Sequence, residues 1–127
     1  FAGLAFNNTK PAACHSLSYP LTMLFNVPHG LAVSITIKEV IKYNYRASPE
    51  NVQLIIEEFG VSSLDAFNEV LMDLMKSIGL PVRLRDLNLK EENIDQLLGA
   101  SINSERMKNN PSELSKKDIR TILMNSL

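Results

Sequence analysis

The sequence predicts an all-α domain, a bundle of about five to seven helices, on three observations. Apolar residues recur at three- and four-residue steps, no stretch keeps a convincing two-residue alternation, and glycine or proline falls between the periodic runs. Such a pattern buries one stripe of each helix against its neighbours. The five glycines, at 3, 30, 60, 79 and 99, are spaced as punctuation and do not cluster.

Taken in order, the first helical stretch contains Cys14, His15 and Leu17. Pro20 is expected to end it, pushing Tyr19 out of helical geometry, and Asn26 and Pro28 then supply a reversal. Residues 31–45 are rich in β-branched side chains, which permits a strand. The continuation through Val40, Ile41 and Tyr43 favours one long, mostly buried helix. Ser48-Pro49-Glu50 reads as an N-cap, a first-turn proline and an acid near the positive helix end, opening a helix with Val52, Ile55, Ile56 and Phe59 that stops at Gly60. Ser63 opens the clearest helix. Leu64, Phe67, Val70, Leu71, Leu74, Met75 and Ile78 share one face, and Gly79 with Pro81 closes it. A further helix starts near Lys90, buries Ile94, Leu97 and Leu98, and frays from Gly99 to Met107. Ser115 caps the last, which runs through Ile119, Ile122 and Leu123 to Leu127.

Size and charge narrow the function classes. A chain of 127 residues with 45% apolar and 21% charged residues makes one domain, spanning 1–127, with an ordinary core. The net charge is −1, with basic and acidic residues interspersed, so neither a nucleic-acid patch nor an acidic tail is expected. No apolar stretch is long enough to span a bilayer. The single Cys14 forms no internal disulfide, and a reducing, cytoplasmic setting is the default. Neither GxGxxG nor GxxxxGK[ST] occurs, so no nucleotide loop is recognisable. The opening Phe1-Ala2-Gly3-Leu4 has no initiator Met and reads as the middle of a longer chain.

Both histidines, His15 and His29, lie in the first quarter, fourteen residues apart. On one continuous helix they would share a face about 21 Å apart, too far for one ion. With breaks at Pro20, Asn26 and Pro28, two helices can instead aim both imidazoles at one point, and Gly30 leaves room beside His29. Two imidazoles do not complete a site, because an open catalytic metal takes three or four protein ligands. Spacing alone leaves satisfied or solvent-facing histidines as the alternative.

Ala13-Cys14-His15-Ser16-Leu17-Ser18-Tyr19-Pro20-Leu21, running on to Phe25-Asn26-Val27-Pro28-His29-Gly30, resembles the second metal motif of the iron-containing alcohol dehydrogenases. That pattern is approximately G-x-x-H-x-x-A-H-x-x-G followed by P-H-G, with the same separation between its ligand histidines. Ala2-Gly3-x-Ala5-Phe6-Asn7 resembles the stretch before that motif. Gly79-Leu80-Pro81 with Leu84, Asp86 and Leu87 is similar to a later G-I-P-x-x-L-x-D-L segment, and Asn110-Pro111 to an N-P-R turn. The resemblance covers essentially the whole chain.

It implies the helical C-terminal half of a two-domain dehydrogenase whose α/β half, absent here, binds NAD or NADP. His15 and His29 would ligate a divalent metal, iron or zinc, together with an Asp and a His from upstream. The metal would polarise the oxygen of a small alcohol or aldehyde substrate during hydride transfer. The chain alone is then expected to be inactive. Two departures stand out: Tyr19 occupies the place of a further histidine near substrate, and Thr22 that of a glycine before the proline-histidine loop. Tyr19 is the catalytic candidate, its hydroxyl donating to a substrate oxygen; an interfacial tyrosine is the alternative. His15 to Pro20 and Pro28 to Val33 look like the branch reducing phosphonoacetaldehyde, for which Lys10 would supply a substrate-binding cation. Homo-oligomerisation is compatible with this reading.

Other features read more plainly. Cys14 is a small core residue, Met72, Met75 and Met107 fill gaps, and Glu57-Glu58, Glu91-Glu92 and Lys116-Lys117 are solvated. Glu39, a stray ligand candidate, is expected on the surface. Two further function classes stand beside the first: a free-standing helical protein-interaction module without catalysis, and the zinc-dependent glycerol dehydrogenase and dehydroquinate synthase class.

Overall fold

The computed structural model describes residues 1, 3, 4, 7, 11–101 and 105–127. Among them lie seven α-helices and no strand, as expected: α1 (Ala13–Phe25), α2 (His29–Ser34), α3 (Ile37–Ala47), α4 (Pro49–Glu58), α5 (Leu64–Ser77), α6 (Glu91–Ser101) and α7 (Lys116–Asn125). Two short 3-10 turns, Leu84–Leu87 and Glu105–Asn109, join the later helices.

The main core gathers the apolar stripes of α1, α2, α6 and α7 around the first 3-10 turn. Leu17, Leu21, Ile35, Leu84, Ile94, Leu97, Ile119, Ile122 and Leu123 are fully buried there. A smaller cluster of Ile41, Val52, Ile56 and Phe67 holds α3, α4 and α5, with Phe59 meeting Phe67 edge-on at 4.8 Å. Helix α3 serves both, sending Val40 to the first and Ile41 to the second.

Local signals set most ends. Ser63 accepts from the Ala66 amide, and Ser115 with Asp118 forms a reciprocal capping box. Gly60 and Gly79 take positive φ, 71° and 74°, where a side chain is strained. Ser48 holds the N-cap position, yet its hydroxyl accepts from the Asn51 side chain and not from a helix amide.

Several expectations are corrected. The helix foreseen through 31–45 is two: α2 stops at Ser34 and α3 starts at Ile37, about a buried Thr36 whose carbonyl receives the Glu39 and Val40 amides. No glycine or proline marks this break. Pro20 does not end the first helix; it lies inside α1, and Tyr19 is helical. A proline there costs about 3 kcal/mol locally, which burial of Leu17, Pro20 and Leu21 offsets, a buried leucine contributing roughly 1.5–3 kcal/mol. Glu39 is not on the surface: it is buried, pairs with Lys42 at 3.0 Å and accepts from Asn125 at 3.3 Å. Gly99 sits within α6, which reaches Ser101, and the last helix closes at Asn125. On α5 only Phe67 and Met75 are buried. Leu74 and Ile78, 53% and 63% exposed, widen its apolar stripe beyond the face that the neighbouring helices cover.

Candidate metal centre

The geometry of the site begins with how α1 ends. Asn26 adopts the left-handed region (φ 54°, ψ 30°), and the Asn26 and Val27 amides both reach back to the Leu21 carbonyl. Asparagine tolerates this conformation better than most residues, and the buried Val27 anchors the exit. The chain then doubles back beside α1. Seven residues of helix, from Phe25 to Ser18, span about 10 Å, and the three connecting residues can extend about 10 Å. His29, the first residue of α2, therefore arrives beside Ser18 and Tyr19 and not beside Phe25.

That return brings the histidines together. The rings of His15 and His29 lie 5.6 Å apart, centre to centre, tilted by 56°. Nitrogens bonded to one ion at about 2.0–2.1 Å call for rings at this kind of spacing. The Tyr19 ring is 5.8 Å from that of His29, so all three side chains stand on one face. His29 and Tyr19 are exposed and His15 is half-buried, which leaves the site open on one side. A Cβ built on Gly30 meets nothing within 4 Å, in keeping with the room expected beside His29.

Hydrogen counting assigns the tautomer of His29. Ser18 is fully buried, and its hydroxyl donates to the His15 carbonyl at 2.8 Å. Its one hydrogen is thereby used, so its 3.4 Å contact with His29 Nδ1 has the oxygen accepting. Nδ1 carries the hydrogen, and in the neutral ring Nε2 keeps its lone pair for a ligand. Burial first, then the His29 imidazole and the Arg106 guanidinium, pushes His15 below its ordinary range. The lowered value favours a neutral His15 imidazole, the state that binds metal. The donor set suits ferrous iron or zinc, and no group of three or more His, Cys, Asp or Glu side chains placed for a metal occurs among the described residues.

The remaining candidates separate. Lys10 lies outside the described residues. Cys14 is set apart from the chemistry: burial pushes its thiol up to about 11, a Thr36 hydrogen bond only partly opposing, so it stays protonated and unreactive. Thr22 Oγ1, one turn beyond Ser18, is buried without a hydrogen-bond partner among the described residues. Two residues escaped the sequence reading. Ser18 lies three positions after His15, a spacing that could have flagged it as a neighbour. Arg106, whose guanidinium carbon lies 4.5 Å from the Tyr19 ring centre, comes from the second 3-10 turn, and no local pattern announces it.

Over residues 1–127 the chain matches the model of the Fe-containing alcohol dehydrogenase family, C-terminal. It belongs to that family. The family's 1,3-propanediol dehydrogenase from Klebsiella pneumoniae is 30% identical over 129 residues, covering 95% of this chain and 33% of the relative. Lactaldehyde reductase from Escherichia coli K12 is 29% identical, covering 93% and 33%. Among solved structures, a 1,3-propanediol oxidoreductase superposes with a TM-score of 0.85 at 30% identity, over 99% of this chain and 35% of that one. The sulfoacetaldehyde reductase of Bifidobacterium kashiwanohense, solved with NAD+, gives 0.81 at 32% identity, over 92% and 31%. The chain thus spans about a third of the length of these relatives.

Proposed function

We propose that His15 and His29 are two ligands of a divalent cation, iron or zinc, in a protein that interconverts a small alcohol and its aldehyde with NAD or NADP. The observation that carries this reading is the 5.6 Å approach of two imidazoles delivered by different helices. The hydrogen on His29 Nδ1 and the neutral bias of His15 support it. The remaining ligands and most cofactor contacts come from an α/β domain upstream, in keeping with the one-third share of its relatives that this chain spans. When bound, the cation supplies Lewis-acid polarisation of the substrate oxygen while the nicotinamide exchanges hydride.

This chain's own residues orient and hold. Ser18 fixes the His29 ring through Nδ1, and the α1 backbone places His15 one turn from Tyr19. The Tyr19 hydroxyl, on the same face, is the donor to a substrate oxygen. Relatives named for 1,3-propanediol and lactaldehyde favour small hydroxylated substrates. Phosphonoacetaldehyde is the narrower reading, and a neighbour named for sulfoacetaldehyde points to a similarly anionic aldehyde.

The test uses the full-length protein. Chelation should reduce aldehyde-dependent oxidation of NADH or NADPH to background, and ferrous iron or zinc should restore it. His15→Ala and His29→Ala should each lower bound metal and turnover at least on the order of 100-fold. Turnover that survives chelation, or full metal content in both variants, contradicts the assignment.

A further inference from the structure

A cavity of about 340 Å³ lies between α3, α4 and the loop at Pro111, with Cys14 of α1 at one wall. Cys14 and His15 are chain neighbours, but successive helical side chains point about 100° apart, so the cavity and the imidazole pair occupy different sides of α1. Its other walls are apolar: Ile37, Val40, Ile41 and Val52, the last three buried. Ile55 also lines it and, at 46% exposed, marks the mouth. Asn44, Ser48 and Asn51 supply the polar lining, and no charged side chain lines it among the described residues.

The polar groups at this place are not all spent. The Ser48 hydroxyl accepts from the Asn51 side chain at 2.8 Å, and no acceptor takes its own hydrogen among the described residues. Behind the lining, Asn110 Nδ2 donates to Asn44 Oδ1 at 2.6 Å and to the Ser112 carbonyl at 2.9 Å. Asn110 is only 9% exposed, and its Oδ1 has no hydrogen-bond partner among the described residues. A hydroxyl answers both needs: it accepts the Ser48 hydrogen and offers one of its own to an amide oxygen.

We propose that this cavity binds a compact neutral molecule with an aliphatic body and one hydroxyl, at a site separate from the imidazole pair. Apolar walls without a charged partner select a neutral ligand, because a buried lone charge is costly. The volume sets the size. At roughly 30 Å³ for each water-sized unit, the space holds about ten non-hydrogen atoms, near the lower end of small-molecule sites. The site stands whether or not His15 and His29 hold a metal.

The experiment titrates the full-length protein, by calorimetry, with 2-methyl-2-hexanol. This tertiary alcohol fits the space and, lacking a carbinol hydrogen, cannot be oxidised by hydride transfer. Saturable binding with a Kd at or below about 1 mM is expected for a ligand of this size. Hexanoate, of similar length but charged, should bind at least about tenfold more weakly. Ile55→Trp, at the exposed mouth, should fill the entrance and weaken alcohol binding at least about tenfold. Ser48 caps no helix amide, so Ser48→Ala leaves α4 intact and should weaken binding about fivefold, the share of one hydrogen bond. That second variant keeps the test decisive if the tryptophan destabilises the fold. His15→Ala and His29→Ala should bind the alcohol as wild type does. No saturable binding to wild type, or unchanged affinity in both Ile55→Trp and Ser48→Ala, overturns the assignment. Binding lost in His15→Ala and His29→Ala also overturns it, moving the alcohol to the imidazole pair.

Discussion

Ser18 shows how much of the site depends on a side chain that would never touch substrate. It is fully buried, gives its hydrogen to the His15 carbonyl and presents its oxygen to His29 Nδ1. Removing that oxygen frees the His29 ring to rotate and to exchange tautomers, while the helix keeps its backbone bonds. Ser18→Ala in the full-length protein should therefore weaken metal affinity by about tenfold, the low end for loss of a group that orients a ligand, with little change in melting temperature. Metal titration followed by a thermal scan checks both parts. A variant that loses stability and keeps its metal affinity would make Ser18 a packing residue. The neutral bias of His15 works in the same direction, since burial first, then His29 and Arg106, disfavours the protonated ring that cannot ligate.

Helix α7 illustrates the element scale, because a short local motif opens it and a distant surface holds it. Ser115 and Asp118 cap its start reciprocally, and Ile119, Ile122 and Leu123 bury its inner face. Ser115→Ala should cost about 1 kcal/mol, read as a shift in denaturant midpoint. The Ser115 hydroxyl and amide hold the Asp118 carboxyl below the usual carboxylate range. A depressed acid stabilises the fold above its unfolded value, roughly 4, and that contribution fades as pH falls through the lower folded value. Asp118→Asn should thus destabilise at neutral pH and converge on wild type in acid; a constant difference from pH 7 to pH 2 would contradict the cap. Motifs of this kind were legible because the cause and the effect lie within four residues. The same holds for Ser63, Gly60 and Gly79 at the ends of α4 and α5. What was not legible depended on distant chain. Glu39 is buried because Asn125 reaches it from the far end of the sequence. Helix α1 survives Pro20 because the core pays little heed to one missing bond when Leu17 and Leu21 are sealed on either side. The break between α2 and α3 has no glycine or proline, so periodicity ran through it.

At the scale of the whole molecule, the site is a surface feature of a bundle that spans about a third of its relatives. The histidine pair was legible as a spacing with a reversal: Asn26 and Pro28 lie in the turn as expected, and only Pro20, inside α1, does not. Arg106 was not legible, because only folding sets the second 3-10 turn against α1 and so beside Tyr19. Two imidazoles hold a divalent ion weakly by themselves, so the proposed centre calls for further ligands beyond His15 and His29. No helix among the described residues is long and apolar enough to cross a membrane. The most direct test is anomalous diffraction from crystals of the full-length protein loaded with iron or zinc. The account predicts one metal peak bonded to both His15 and His29, at about 2.0–2.1 Å from each imidazole nitrogen, with His29 coordinating through Nε2. A metal bound elsewhere, with these two rings free of it, would contradict it.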